Sequence, residues 1–281
     1  MTRAPKLSAP QFSVVVPVFD EEGAAPALAR EIAAAFAGRP YEVIFVDDAS
    51  RDGTRAALAA LSDEIPALRV VTHGKNAGQS RAVRTGVMAA RGDIVITLDG
   101  DGQNDPADAP RLADHLAAGP ANLALVGGVR VNRQDTAAKR YASRFANGVR
   151  QRLLNDTATD TGCGLKAFRR EAYLRLPYFD HQHRFLPALM RREGYEVAFE
   201  PVGHRARQAG KSKYTNFGRL MASFSDLAGV MWLASRSRHP GEIGEAGASG
   251  QGADQQRDND QVESAVDEGH ESSGGTRLVR R

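Results

Sequence analysis

Cysteine and tryptophan occur once each in the 281 residues, as Cys163 and Trp232. One thiol cannot close an internal disulfide, which fits a reducing compartment. No stretch approaches the roughly 18 uninterrupted apolar residues that a membrane span needs. Met1–Gln11 also lacks the apolar run of a secretory leader. The expectation is therefore a chain with no transmembrane helix and no secretory signal. Two nucleotide-binding signatures are absent as well. The first apolar run is followed by Asp20, Glu21 and Glu22, not by Gly-x-Gly-x-x-Gly, which argues against a dinucleotide-binding dehydrogenase. No glycine-rich loop ends in Gly-Lys-Ser/Thr, which argues against a P-loop NTPase. The histidines do not share metal-ligand spacing with cysteine, excluding a zinc site. The basic residues fall in no recognised nucleic-acid module, so no nucleic-acid partner is expected.

What is present is a chain with 42% hydrophobic residues, long enough for one large domain or two small ones. The net charge of +3 hides an asymmetry. From Pro240 onward, nine acidic and four basic residues leave −5, so the first 239 residues carry +8. A basic body suits anionic partners. The tail over 240–281 is rich in Gly, Ser, Gln and Asp and is expected to be disordered.

Short β-branched runs alternate with helical patterns. Strands are expected at Phe12–Phe19, Tyr41–Val46, Leu68–Val71, Ile94–Leu98, Leu123–Arg130 and Glu196–Val202. Helical periodicity runs through Leu28, Ile32 and Phe36, through Ala57, Leu58 and Leu61, and through Ala82, Val83, Gly86 and Val87. This order predicts an α/β fold with a mostly parallel sheet wound with helices.

Acids gather where strands end. Ile94–Leu98 runs directly into Asp99-Gly100-Asp101-Gly102-Gln103, with glycines that permit a tight turn. Two aspartates so spaced suit Mg²⁺ or Mn²⁺ bridging to a diphosphate, because such ions take much of their shell from phosphate and water. The same residues also read as an acidic, glycine-rich turn with no ligand. Asp47 and Asp48 end the second strand and are expected to contact ligand, whereas Asp52 reads as a helix cap. Gly78 opens a helix whose amides are placed to approach an anion. A basic stretch follows, with Arg133, Lys139, Arg140, Arg144, Arg150 and Arg152. It reads as a solvated helix face or as phosphate contact. Cys163, between two glycines and without a nearby activating histidine, reads as a small buried residue. From Asn216 to Arg236, Phe217, Leu220, Phe224, Leu227, Met231 and Trp232 recur at helical intervals. That amphipathic stretch either packs on the core or lies in a membrane interface.

Seven pieces occur together in one order: Val15-Val16-Pro17-Val18-Phe19-Asp20-Glu21-Glu22, Val46-Asp47-Asp48-Ala49-Ser50, Asn76-Ala77-Gly78, Asp99-Gly100-Asp101-Gly102-Gln103, Asp160-Thr161-Gly162-Cys163-Gly164, Arg184-Phe185-Leu186-Pro187, and Ala209-Gly210-Lys211-Ser212-Lys213-Tyr214. In these the chain resembles the family 2 glycosyltransferases of the GT-A fold, and within them the dolichol-phosphate-mannose-synthase-like, polyprenyl-phosphate branch. It departs from that pattern at Asp20, where Asn is common, and at Ala49, where Gly is common.

The resemblance implies a GT-A domain over 1–239, with a nucleotide-sugar half (11–130), an acceptor half (131–213) and an amphipathic helix (214–238). It implies that Pro17, Phe19, Glu21 and Asp48 line the base and ribose pocket. Asp99 and Asp101, with Gln103, would hold Mg²⁺ or Mn²⁺ and the diphosphate of a GDP- or UDP-linked sugar. Arg130 would face the phosphates, and Arg207 and Lys213 would clamp nucleotide or acceptor. Asp160 would organise the site or act as a base. The expected reaction is inverting transfer to a polyprenyl phosphate by a cytoplasmic protein, peripheral at the inner face of the membrane. A membrane surface or a small membrane protein would recruit it. Transfer to a hydroxyl of a glycan or lipid, or a non-catalytic scaffold keeping the fold, are the competing readings.

Overall fold

The computed structural model describes residues 9–131, 148, 151–154, 158, 160–205 and 216–238, with backbone alone over 216–223. The acidic tail, most of the basic stretch after Val131, Arg207 and Lys213 lie outside the described residues. Up to Ser237 the described chain forms one unit.

The strands are β1 (Phe12–Val18), β2 (Tyr41–Asp47), β3 (Leu68–Thr72), β4 (Ile94–Thr97), β5 (Leu123–Arg130), β6 (Lys166–Arg169) and β7 (Glu196–Val202). They form one seven-stranded sheet in the order β3-β2-β1-β4-β6-β5-β7. The β1–β2, β2–β3, β1–β4 and β5–β7 pairs are parallel; β6 alone runs against its neighbours. The sheet is mostly parallel, as expected, but β6 is an element that sequence reading left out. At four residues, bounded by glycine and arginine, Lys166–Arg169 carries too short a pattern to stand out.

Helices α1 (Ala25–Ala35), α2 (Thr54–Ala59), α3 (Gln79–Ala89), α4 (Ala109–Ala118), α5 (Arg170–Arg175), α6 (Leu186–Arg192) and α7 (Asn216–Ser235) cover the sheet. Its two faces each bury an apolar layer. One gathers Val14, Val16, Ile32, Phe36, Leu112 and Leu116; the other Val15, Ile44, Val87, Phe168, Tyr173 and Leu189. Alternating residues of β1 thus enter opposite layers, the signature of a strand covered on both sides. Each fully buried Ile or Leu here contributes about 1.5–3 kcal/mol over its exposed state.

The chain winds outward through β1, β2 and β3, then returns to place β4 on the other side of β1. That reversal opens a crevice at the carboxyl ends of β1 and β4, where open α/β sheets bind ligands. Among the described residues, no helix is long and apolar enough to cross a membrane.

Candidate active site

The crevice holds a cleft of about 660 Å³. One wall comes from the ends of β1 and β2, with Pro17, Phe19, Glu21 and Asp48; the floor comes from the end of β4, with Asp99, Asp101 and Gln103. The far wall comes from β5, β6 and the turn before α6, with Arg130, Gly162, Gly164, Lys166, His183 and Arg184. Of the described residues expected at the site, all line it except Asp160, which pairs with Arg130, and Asp47.

Asp99 is held at its side chain and at its amide. Gln79, the first residue of α3, donates Nε2 to Asp99 Oδ1 at 2.8 Å, and the Asp99 amide donates to Asn104 Oδ1 at 3.3 Å. Burial and the neighbouring Asp101 carboxylate push the Asp99 carboxyl above its ordinary value, against the pull of Lys166, Arg130 and Gln79. A carboxylate destabilised by a neighbouring carboxylate is relieved by a divalent cation. Among the described residues no three such groups gather into a ready metal cage. The donor set therefore fits an ion that keeps water and phosphate oxygens, as Mg²⁺ or Mn²⁺ does.

Gly164, two residues before β6, approaches this acid. A Cβ there would fall within 2.5 Å of both Asp99 carboxylate oxygens. Gly102 has φ +72° and makes the turn after Asp101. Gly100 serves otherwise than expected: a Cβ would meet Pro17 O at 2.7 Å, so its value is close approach to β1.

Arg130 and Asp160 form a bidentate pair, Nε to Oδ2 and Nη2 to Oδ1 both at 2.7 Å, and the Arg130 amide adds a bond to Oδ2 at 3.2 Å. Both carboxylate oxygens are thereby engaged, and the guanidinium is fixed along the cleft wall. Lys166 is 5% exposed and donates to the Cys163 carbonyl. Burial draws its ammonium below the ordinary lysine value, while the charges of Asp99 and Asp160 oppose that. Lys166 carried no signal in the sequence because β6 was not recognised. Cys163 is 1% exposed, and burial pushes its thiol up, in keeping with a packing role.

The second-strand acids turn inward. Asp48 accepts from the Ala77 and Gly78 amides at 2.8 and 2.7 Å and pairs with His73 Nδ1 at 2.7 Å. The anion received at the start of α3 is thus the chain's own carboxylate. Gly78, at φ +86°, supplies the conformation that aims its amide there. Asp47 is fully buried, accepts from the Ser50 amide at 2.9 Å and pairs with Arg55 at 3.1 Å. It does not line the cleft, which corrects the expectation of ligand contact for it. Asp52 accepts from the Thr54 amide at 3.0 Å where α2 begins.

Asp20 (φ 51°) and Ala49 (φ 63°), the two departures noted in the motifs, both adopt the left-handed conformation. Asn and Gly tolerate it best, which explains their frequency at such positions. The segment bearing Arg207 leaves the described residues at Arg205, whose amide donates to Gln103 O at 2.9 Å and whose guanidinium meets Glu31 and Asp105.

This strand order, reversal and acid-floored cleft are those of the GT-A fold. Residues 13–176 match the model of glycosyl transferase family 2, and the chain belongs to that family. It is 37% identical over 222 residues to the undecaprenyl-phosphate 4-deoxy-4-formamido-L-arabinose transferase of Pseudomonas aeruginosa, covering 78% of this chain and 64% of that protein. The protein of the same name from Pectobacterium carotovorum is 37% identical over 218 residues, covering 76% and 65%. The chain thus spans just under two thirds of the relatives it matches. Among solved structures, glucosyl-3-phosphoglycerate synthase from Mycobacterium tuberculosis, in complex with Mn²⁺, UDP and glucosyl-3-phosphoglycerate, superposes with TM-score 0.61 at 20% identity, covering 83% of this chain and 82% of that one. A mannosyltransferase from Pyrobaculum calidifontis, in complex with GDP-Man and Mn²⁺, gives 0.59 at 20% identity, covering 83% and 66%.

Proposed function

We propose that this chain transfers a sugar, with inversion, from a GDP- or UDP-linked donor to a polyprenyl phosphate. The observation that carries the reading is the convergence of Asp99 and Asp101 with Arg130 and Lys166 in one cleft. The relatives named for undecaprenyl-phosphate transfer and the fold neighbours holding Mn²⁺ with UDP or GDP-mannose support it.

Asp99 and Asp101, with Gln103, would hold Mg²⁺ or Mn²⁺, which neutralises charge on the departing diphosphate when bound. Pro17, Phe19, Glu21 and Asp48 frame the nucleoside, with Asp48 acting through the loop it holds. Arg130 faces the phosphates, stiffened by Asp160. Arg207 and Lys213 would clamp the diphosphate or the acceptor. An acceptor-phosphate oxygen bonds to the anomeric carbon as that carbon's bond to the diphosphate oxygen breaks, through an oxocarbenium-like state. A phosphate monoester with a second pKa of about 6 is already anionic at neutral pH, so no base is required. A hydroxyl acceptor would need a base, Asp160 or Asp99, and Arg130 occupies both oxygens of the first.

The domain reading is that 11–130 hold the donor and 131–213 the acceptor. Helix α7 buries Val230 yet exposes Phe224 at 61% and Trp232 at 60%, with Arg236 beyond. That face suits the headgroup region of a bilayer and supports a peripheral position at the inner membrane face. Incubation with a panel of nucleotide sugars, Mn²⁺ or Mg²⁺ and a short polyprenyl phosphate tests the proposal. The expected product is a glycosyl phosphate of inverted anomeric configuration; retention, or transfer to hydroxyl acceptors alone, would overturn it.

A further inference from the structure

We infer that His183 is a neutral hydrogen-bond donor to the acceptor phosphate, held in one tautomer by Ser80. The inference rests on the reading that the acceptor is a lipid phosphate.

Ser80, the second residue of α3, is 1% exposed. Its Oγ lies 2.7 Å from His183 Nδ1 and also receives the His183 amide at 3.5 Å. Among the described residues the hydroxyl meets no other acceptor. A buried O–H left unmade costs about 1–3 kcal/mol, so Ser80 donates to Nδ1. A neutral imidazole that accepts at Nδ1 carries its proton on Nε2. Nε2 is bonded to no described residue, and the ring lines the cleft beside Lys166 and Arg184. Burial, then the charges of Lys166, Arg184 and His181, hold the imidazole well below its ordinary value. His183 therefore offers an N–H, not a lone pair.

Placement decides which substrate receives it. The donor's nucleoside and diphosphate fall to Pro17, Phe19, Asp48, Asp99 and Asp101, on the near wall and floor. His183 sits in the turn Gln182–Arg184, which Ser80 holds against the start of α3. That turn is tied to α7, because His181 Nδ1 lies 2.9 Å from Asp226 Oδ2. The helix with the exposed apolar face thus fixes the turn that presents His183, bringing the lipid-facing side of the protein to this wall. A neutral donor beside Lys166 and Arg184 adds a directed bond to an anionic oxygen without adding to the crowding of positive charge.

The test measures binding of a short polyprenyl phosphate by calorimetry without donor, together with the KM for each substrate. A lost hydrogen bond to a charged group predicts that His183→Ala weakens acceptor binding on the order of 10-fold or more, with donor KM within about twofold. His183→Gln, which returns an N–H near the Nε2 position, recovers most of the loss. Ser80→Ala, which frees the tautomer, gives an intermediate loss. Thermal melts confirm folding of each variant. Unchanged acceptor affinity in both His183 variants, or a rise confined to donor KM, would overturn the inference. If lipid phosphate binds in a His183-dependent way but no nucleotide sugar is ever consumed, the transfer reading fails and this inference stands.

Discussion

Gly164→Ala is a perturbation whose effect falls on the cleft and not on the fold. Gly164 has no left-handed φ, so alanine is compatible with its backbone. The constraint is space: the new methyl would fall within 2.5 Å of both Asp99 carboxylate oxygens, where ordinary contact begins at 3.4 Å. Asp99 must retreat by roughly 1 Å, giving up its bond from Gln79. A displacement of that size in a reacting group costs about 10²-fold in rate. Because Asp99 faces the cleft, global stability should shift by less than about 1 kcal/mol, well short of the change expected for a disrupted core. The assay is initial-rate sugar transfer at saturating Mn²⁺ beside a thermal melt. A fall of about 10²-fold with an unchanged melting temperature is expected. A variant within twofold of the wild-type rate would refute the placement of Asp99 against Gly164.

Asp160→Asn strips the charge that pairs with Arg130 in a cleft wall where the two side chains are 8% and 16% exposed. Breaking such a pair predicts a loss of about 3 kcal/mol in chemical denaturation, and activity should fall evenly across pH; loss of an acid limb would instead reveal a base. Ala49→Gly relieves a left-handed alanine, φ 63°, and a net gain of up to about 1 kcal/mol is expected by denaturant unfolding. The half-buried, neutral His183 gives a pH signature, because its native value is depressed. Between that value and the ordinary one of about 6.5 the unfolded chain binds the extra proton, so stability is complete above 6.5 and falls on acidification. Denaturant titrations at pH 7 and 5.5 should show His183→Gln losing less than wild type, by up to about 1.4 kcal/mol per pH unit; parallel losses would contradict a neutral imidazole.

Much of this architecture was legible in the sequence. The runs that became β1, β2 and β4 are β-branched and bounded by acids, glycine or proline, and Asp99–Gln103 announced the cleft floor. The far wall was harder to see. Lys166 and His183 depend on β6, a four-residue antiparallel strand, and on a single-turn helix, neither long enough to show a period. Gln79 and Ser80 sit at the start of α3, where polar residues read as ordinary helix-entry residues. The inward engagement of Asp47 and Asp48 was equally hidden, because adjacent acids look alike whether they hold a ligand or their own loop.

The central claim is that Asp99 and Asp101 act on a donor diphosphate through a divalent cation. Calorimetric binding of UDP and GDP, with and without Mn²⁺, to wild type and Asp101→Ala addresses it most directly. The account predicts that Mn²⁺ tightens binding of one nucleotide at least ~10-fold in wild type, the scale of one charge-assisted contact, and has no effect in Asp101→Ala. Equal nucleotide affinity with and without the metal, or a metal effect that survives Asp101→Ala, would contradict it.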